Sequence, residues 1–234
     1  MAVCAQDADQ VAVKILIVPV VLSLGACAGG PTPPQWQSQS HASMEKFTLQ
    51  YLEGITQLAE RSFAEVKAAM AATGRPELAA RAELVRCALG TAALDVDACV
   101  AYESARADAT AEDRVYGDFV TGRGRGQDAS RLPGQYRGVA MAHDEVTRNK
   151  AMQKIEDPVS RLVAAGALFR LAQLSPDGLI TAIDTASAQG YRRPLLAYLN
   201  VQAKRAESGG DTAALQSIRK RIDLVYQSLP KPKE

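Results

Sequence analysis

Three Ser-x-x-Lys triplets stand in the sequence, Ser43 to Lys46, Ser217 to Lys220 and Ser228 to Lys231. Serine acyl-enzymes use that spacing to set an ammonium one helical turn from a nucleophilic hydroxyl, together with Ser-Asp-Asn and Lys-Thr-Gly motifs that this sequence lacks. His41 and His143 are the two histidines. A zinc site needs three or four converging nitrogen or sulfur ligands, so these residue types do not build one, and only a carboxylate-built cation site stays open. There is no Gly-x-Ser-x-Gly elbow, no phosphate-binding glycine loop ending in Lys-Ser or Lys-Thr, and no dinucleotide fingerprint. Neither a catalytic residue nor a cofactor emerges. The one unusual local composition is Gly122-Arg123-Gly124-Arg125-Gly126. Alternating guanidinium groups on a permissive backbone suit phosphates, headgroups or an acidic partner, which makes Arg123 and Arg125 candidate partner or anion contacts; a solvated basic loop is the plainer reading.

The whole chain gives these groups little electrostatic help. Its 234 residues carry 27 Lys and Arg against 26 Asp and Glu, a net charge of +1, so no overall field draws in nucleic acid or an anionic membrane. Hydrophobic residues make up 47% and aromatics 5%. A core assembled mainly from Ala, Leu, Val and Ile suits helices.

The N-terminal residues read as an address. Ile15 to Leu24, ILIVPVVLSL, follow the single base Lys14 and precede Gly25 and Ala26. The run from Ile15 to Ala26 spans about 18 Å as a helix, short of the roughly 30 Å hydrocarbon core, so it suits a secretory signal and not a membrane span. Residues 1–10 carry Asp7 and Asp9 and no base, whereas Val11-Ala12-Val13-Lys14 makes an ordinary positive start; translation beginning at Val11 or Val13 fits better.

The segment ends in Leu24-Gly25-Ala26-Cys27, which resembles the lipobox of bacterial lipoproteins, whose Cys is diacylated and becomes the first residue after cleavage. The resemblance covers only this signal segment. It implies a signal peptide over residues 1–26 and a lipid on Cys27. With Ala28 and Gly29 following in place of an Asp, it implies the periplasmic face of an outer membrane. Cys87 and Cys99 are then the cysteines left in the mature body, and in an oxidising periplasm they are expected to pair. No histidine stands near either of them in sequence to make a catalytic thiolate.

The elements that position all this read as helices. Residues 27–43, rich in Pro, Gly, Ser and Gln, are expected to be a lipidated, flexible tether, with Trp36 docking back on the body or dipping into headgroups. Residues 44–157 form an N-terminal helical region. Phe47, Tyr51, Ile55, Leu58, Ser62, Val66 and Met70 predict one long helix from Met44 to about Thr73. A second helix runs from Pro76 to a stop at Gly90, and Asp95 or Asp97 caps a third through Ser104. A short helix over Glu112 to Val120, the basic loop, and a polar outer helix from Arg137 to Lys154 follow, with His143 on its solvated face. Residues 158–229 are more regular. Pro158, Pro176, Pro194 and Thr212 recur every 18 residues, Asp157, Ser175 and Asp211 supply N-caps, and Gly190 and Gly209-Gly210 close the helices. That layout is similar to a tetratricopeptide array of helical hairpins, without a clean match to the family's consensus. Leu162 to Leu174 reads as a buried central helix, and Leu215, Ile218, Ile222, Val225 and Leu229 as the stripe of an edge helix that leaves Arg219, Lys220 and Arg221 outside. Residues 230–234 make a tail.

The sequence therefore specifies an all-α body of seven to nine helices with stacked hairpins in its C-terminal third. The expected role is that of an outer-membrane-anchored accessory or assembly factor, bound to the membrane through its lipid and to an envelope protein partner, without nucleic acid or cofactor. An immunity or inhibitor lipoprotein against a periplasmic toxin or hydrolase, and an unrecognised cell-wall or lipid-acting enzyme, are the alternatives. Oligomeric state is not legible.

Overall fold

A computed structural model describes residues 33–95, 97–124 and 129–229. The signal segment with Cys27, the start of the tether, Arg125 and the C-terminal tail lie outside the described residues. From Pro33 onward the chain forms a compact unit of its own. The fold is all-α. Eleven α-helices and three 3-10 turns make up the described residues, and none of these helices is long and apolar enough to cross a membrane. The excess over the expected seven to nine comes from breaks inside two stretches that read as continuous helices.

The first break separates α1 (Gln35–Leu52) from α2 (Thr56–Ala71). Gly54 takes a left-handed φ of +81°, and the N–H of Ile55 returns to the carbonyl of Gln50 at 2.8 Å, which ends α1 and reverses the chain. Phe47 of α1 faces Phe63 of α2 across this hairpin, their rings 4.7 Å apart, and Tyr51 and Val66 are buried in the same core. The three-and-four stepping of the sequence runs on across the turn and hides it, although Leu58 of the expected stripe is 44% exposed and α2 buries Ala59, Phe63 and Val66 instead. The tether is also shorter than expected. Pro34 stands at the N-cap and α1 begins at Gln35, so Trp36, His41 and Ser43 are helical. Docking on α2 decides this: Ser43 is buried and donates to the Glu65 carboxylate at 2.9 Å.

α3 (Pro76–Ala92) starts at its proline as expected but does not stop at Gly90. A Cβ on Gly90 would stand 2.1 Å from the Cβ of Ala98, so this glycine permits a close approach and not a helix end. The helix ends two residues later, where Leu94 adopts φ 58°. Asp95 accepts the Asp97 N–H at 3.1 Å and opens a 3-10 turn at Asp97–Cys99, followed by α4 (Val100–Ala105) and a second 3-10 turn at Arg106–Asp108. α5 (Ala111–Val120) is capped by Thr110.

The expected polar helix over residues 137–154 is two helices, α6 (Gly134–Met141) and α7 (Glu145–Gln153). Asp144 accepts the Thr147 N–H at 2.9 Å and so competes for the chain as an N-cap. That backbone donor holds its carboxyl below the usual range. Both helices are largely exposed, burying chiefly Tyr136, Val139, Asn149 and Met152.

The C-terminal third follows its punctuation. α8 (Pro158–Arg170) and α9 (Pro176–Gln189) begin at their prolines, capped by Asp157 and Ser175, and Gly190 ends α9 at φ +67°. α10 (Arg192–Ser208) starts two residues before Pro194, and α11 (Thr212–Gln227) is capped by Asp211. Every residue from Leu162 to Leu168 is buried, and α8 packs against both α3 and α9 as the central helix, but it stops short of the expected Leu174: Phe169 is 38% exposed, the helix ends at Arg170, and Ala172 turns to φ 54°. The C-terminal third and the N-terminal region are tied again at the start of α10. Arg192 and Arg193 donate to the carbonyls of Glu53 and Tyr51 at 3.1 and 2.8 Å. Cations at a helix N-terminus oppose its dipole; here they satisfy the C-terminal carbonyls of α1 instead.

Candidate functional site

The disulfide forms where it is expected. Cys87 in α3 and Cys99 in the following 3-10 turn are bonded at 2.01 Å and both are buried. Gly90 lets the two segments close on each other. The Arg170 guanidinium donates to the Asp95 carbonyl at 3.1 Å and lies 3.8 Å from the Cys99 sulfur, fixing α8 to the stapled hairpin.

Arg123, one of the two candidate contacts, is engaged inside the fold. It donates to Glu103 at 2.7 Å and to Asp118 at 3.3 Å, and Asp118 is also held by Arg106 at 2.7 and 2.8 Å. The start of the glycine-arginine loop is thereby fastened to α4 and α5. Arg125 lies outside the described residues. The other sequence candidates do not converge. His41 is exposed on α1, 3.7 Å from Glu45, and His143 is exposed between α6 and α7. Ser43 turns to Glu65, and the Ser228 hydroxyl to the Val225 carbonyl at 2.7 Å. Among the described residues no three His, Cys, Asp or Glu side chains gather as a metal cluster.

Two features not resolved from sequence are better placed to recognise something. The first is the edge formed by α10 and α11. The expected stripe is shorter than its pattern, because α11 ends at Gln227 and Leu229 lies beyond it, close to Gly54; of the four stripe residues within the helix, Ile218 alone is buried, and Leu215, Ile222 and Val225 are half-buried. Tyr226, 54% exposed, lies at one margin of that stripe beside Arg219, whose guanidinium is 3.5 Å from Glu207, and Arg221 lies at the other margin; Leu224, 66% exposed, and Lys220 are on the outer face of the helix. The hairpin is covered on one side and leaves an apolar seam with a basic border on the other.

The second is a cleft of about 760 Å³ between α6, α7 and the start of α8. Gly138 and Ala151 let α6 and α7 approach, and Arg161 holds the following turn through the Ile155 carbonyl at 2.7 and 3.0 Å. Lys150 of α7 and Lys154, its C-cap one turn later, face the same space as Glu156 and Asp157. Asp157 accepts the Ser160 N–H at 2.7 Å. A smaller pocket of about 280 Å³ adjoins it, bounded by α3, α8 and the stacked rings of Tyr116 and Tyr136, whose hydroxyls are 3.3 Å apart. Burial raises both phenols, Tyr116 further because Tyr136 lies against it, so both remain neutral hydrogen-bonding groups.

No protein-family model, curated protein or solved structure matches this chain. Its groups must therefore be read from their own geometry: neutral phenols, a hydroxyl, an amide and charges of both signs surround open space, and a half-covered apolar seam runs along α11.

These tyrosines also set the alkaline limit of the fold. Burial lifts Tyr102, Tyr198, Tyr116 and Tyr136, and Tyr51 is pushed up to about 12 by burial and by Asp95, which accepts its hydroxyl at 3.2 Å. A phenol whose pKa is raised on folding stabilises fully below its unfolded value of about 10, and that stability is lost as pH climbs through the folded value. Unfolding is expected above pH 10, with phenolate absorbance rising in step with loss of helical circular dichroism. Complete ionisation of the tyrosines with the helices intact would contradict this burial.

Proposed function

We propose that the protein is exported, anchored by lipid at Cys27 to the periplasmic face of an outer membrane, and acts there as a protein-binding accessory or assembly factor of an envelope complex. The half-covered apolar stripe of α11 carries this reading. Leu215, Ile222 and Val225 recur at helical spacing yet remain half-buried, with Tyr226 exposed beside them, which suits a partner helix laid along the seam. The basic residues at its border favour an acidic flank on that partner. The Cys87–Cys99 disulfide supports the compartment, since such bonds persist where thiols are oxidised. An enzyme acting on wall or lipid draws less support: of the cleft carboxylates Glu156 and Asp157, the latter already holds the Ser160 amide.

The test is a photo-cross-linking phenylalanine analogue at position 226, compared with the same analogue at position 67 on α2, in intact cells. One discrete envelope adduct from position 226 and none from position 67 is the expected result. Equal adducts from both positions, or none from 226, would refute the docking role.

A further inference from the structure

The two adjoining cavities differ in character and share two residues. The smaller is walled mainly by Val85, Ala88 and Leu89 of α3, Val159 and Val163 of α8 and the rings of Tyr116 and Tyr136, together with Thr48. The larger presents Lys150 and Lys154 opposite Glu156 and Asp157. Gln135 and Ser160 line both. Their side chains meet at 3.5 Å, the outer limit of a hydrogen bond, so the partition between apolar and charged space is weak and polar on both sides.

We propose that the two cavities form one site for a single-chain amphiphile with a zwitterionic head, its apolar chain in the smaller pocket and its head in the cleft. The inference goes beyond the docking role of α11, since a different part of the surface carries it. Charge complementarity selects the head. Two ammonium groups and two carboxylates leave the cleft without net charge but with both signs exposed, so an anionic phosphate pairs with Lys150 and Lys154 and an ammonium with Glu156. A purely anionic or purely cationic head would leave one pair facing a like charge. The pocket selects the chain. Its volume of about 280 Å³ holds roughly nine groups of the ~30 Å³ size of a water molecule, so a linear chain of eight or nine carbons fills it. Gln135 and Ser160 then stand at the junction of chain and head, where a phosphate ester carries its oxygens.

The probes are n-alkyl phosphoethanolamines of four to twelve carbons, titrated calorimetrically below their micellar concentrations. The protein is the chain from Ala28 onward, directed to the periplasm so that its disulfide forms; that body contains the whole compact unit beginning at Pro33. Affinity is expected to rise about fourfold per methylene up to eight or nine carbons and then level off. Lys150→Glu with Lys154→Glu, both exposed, should weaken the nine-carbon probe at least tenfold and leave the neutral maltoside of the same chain unchanged. Val159→Phe, at a half-buried position, should remove the dependence on chain length. Binding that ignores chain length, equal binding of the zwitterionic and neutral probes, or no heat from any probe would overturn the proposal.

Discussion

Replacing Gly166 with Ala should lower the unfolding free energy by about 3 kcal/mol, although in an exposed helix the same change stabilises by about 1 kcal/mol. The added Cβ would stand 1.9 Å from the carbonyl oxygen of Thr91 and 3.0 Å from its side-chain methyl. The opposing atom is backbone in the last turn of α3, where the Thr91 carbonyl accepts the Leu94 N–H at 3.1 Å, and Thr91 is itself fixed through its hydroxyl to the Val120 carbonyl at 3.1 Å. Neither side can yield alone, so α3 and α8 must separate along the contact that joins the N-terminal region to the C-terminal third. Gly138→Ala on α6 is the control: its Cβ would meet Ala151 at an ordinary 3.4 Å, and the change should be neutral or slightly stabilising. Urea denaturation of both variants decides it, and a midpoint for Gly166→Ala at or above that of the unaltered protein would exclude this crossing.

The second large effect belongs to the disulfide. Cys87→Ala with Cys99→Ala should cost about 3 kcal/mol, because the bond closes a short loop, of sequence separation 12, in the unfolded chain. At 2 to 4 °C per kcal/mol for a chain of this size, the melting midpoint should fall by roughly 6 to 12 °C. Both sulfurs are buried, so reductant reaches them chiefly when the hairpin opens. Added dithiothreitol should therefore lower the midpoint of the unaltered protein toward that of the double variant and leave the double variant where it is. An unaltered protein that melts at the same temperature with and without reductant would show that the staple contributes nothing.

Much of this architecture was readable where a single residue type has one dominant use. Pro158 and Pro176 could start helices because a first-turn N–H has no partner to lose, Asp157, Ser175 and Asp211 could cap them, and α8 was apolar all round and is central. The reading failed where one residue serves two purposes. Gly54 ends a helix whose three-and-four stepping runs on in the sequence, whereas Gly90 looks like a terminator and instead makes room for Ala98. Asp144 blends into a polar stretch, where nothing but its own carboxylate, accepting the Thr147 N–H as an N-cap, marks the break. The tether failed for a different reason. Gln, Ser and His have no strong preference of their own, and only docking on α2 makes residues 35–43 helical.

The recognition surfaces were legible to a lesser degree still. The stripe of α11 was correct as a pattern as far as Val225, yet how much of it a neighbour covers is a property of packing. The cleft depends on α6, α7 and α8 meeting across a turn, which no spacing in the sequence encodes. Arg123 stood out by composition, and its pairing with Glu103 and Asp118 depends on residues 20 and 5 positions away.

The anchor is tested most directly by growing cells with labelled palmitate and following the full-length protein beside its Cys27→Ser variant. Label on the unaltered protein, absent from the variant, with the labelled protein released from outer-membrane fractions by detergent and not by salt, is the predicted result. An unlabelled protein that leaves the membrane fraction in salt would contradict the lipid anchor and with it the placement of α11 before an envelope partner.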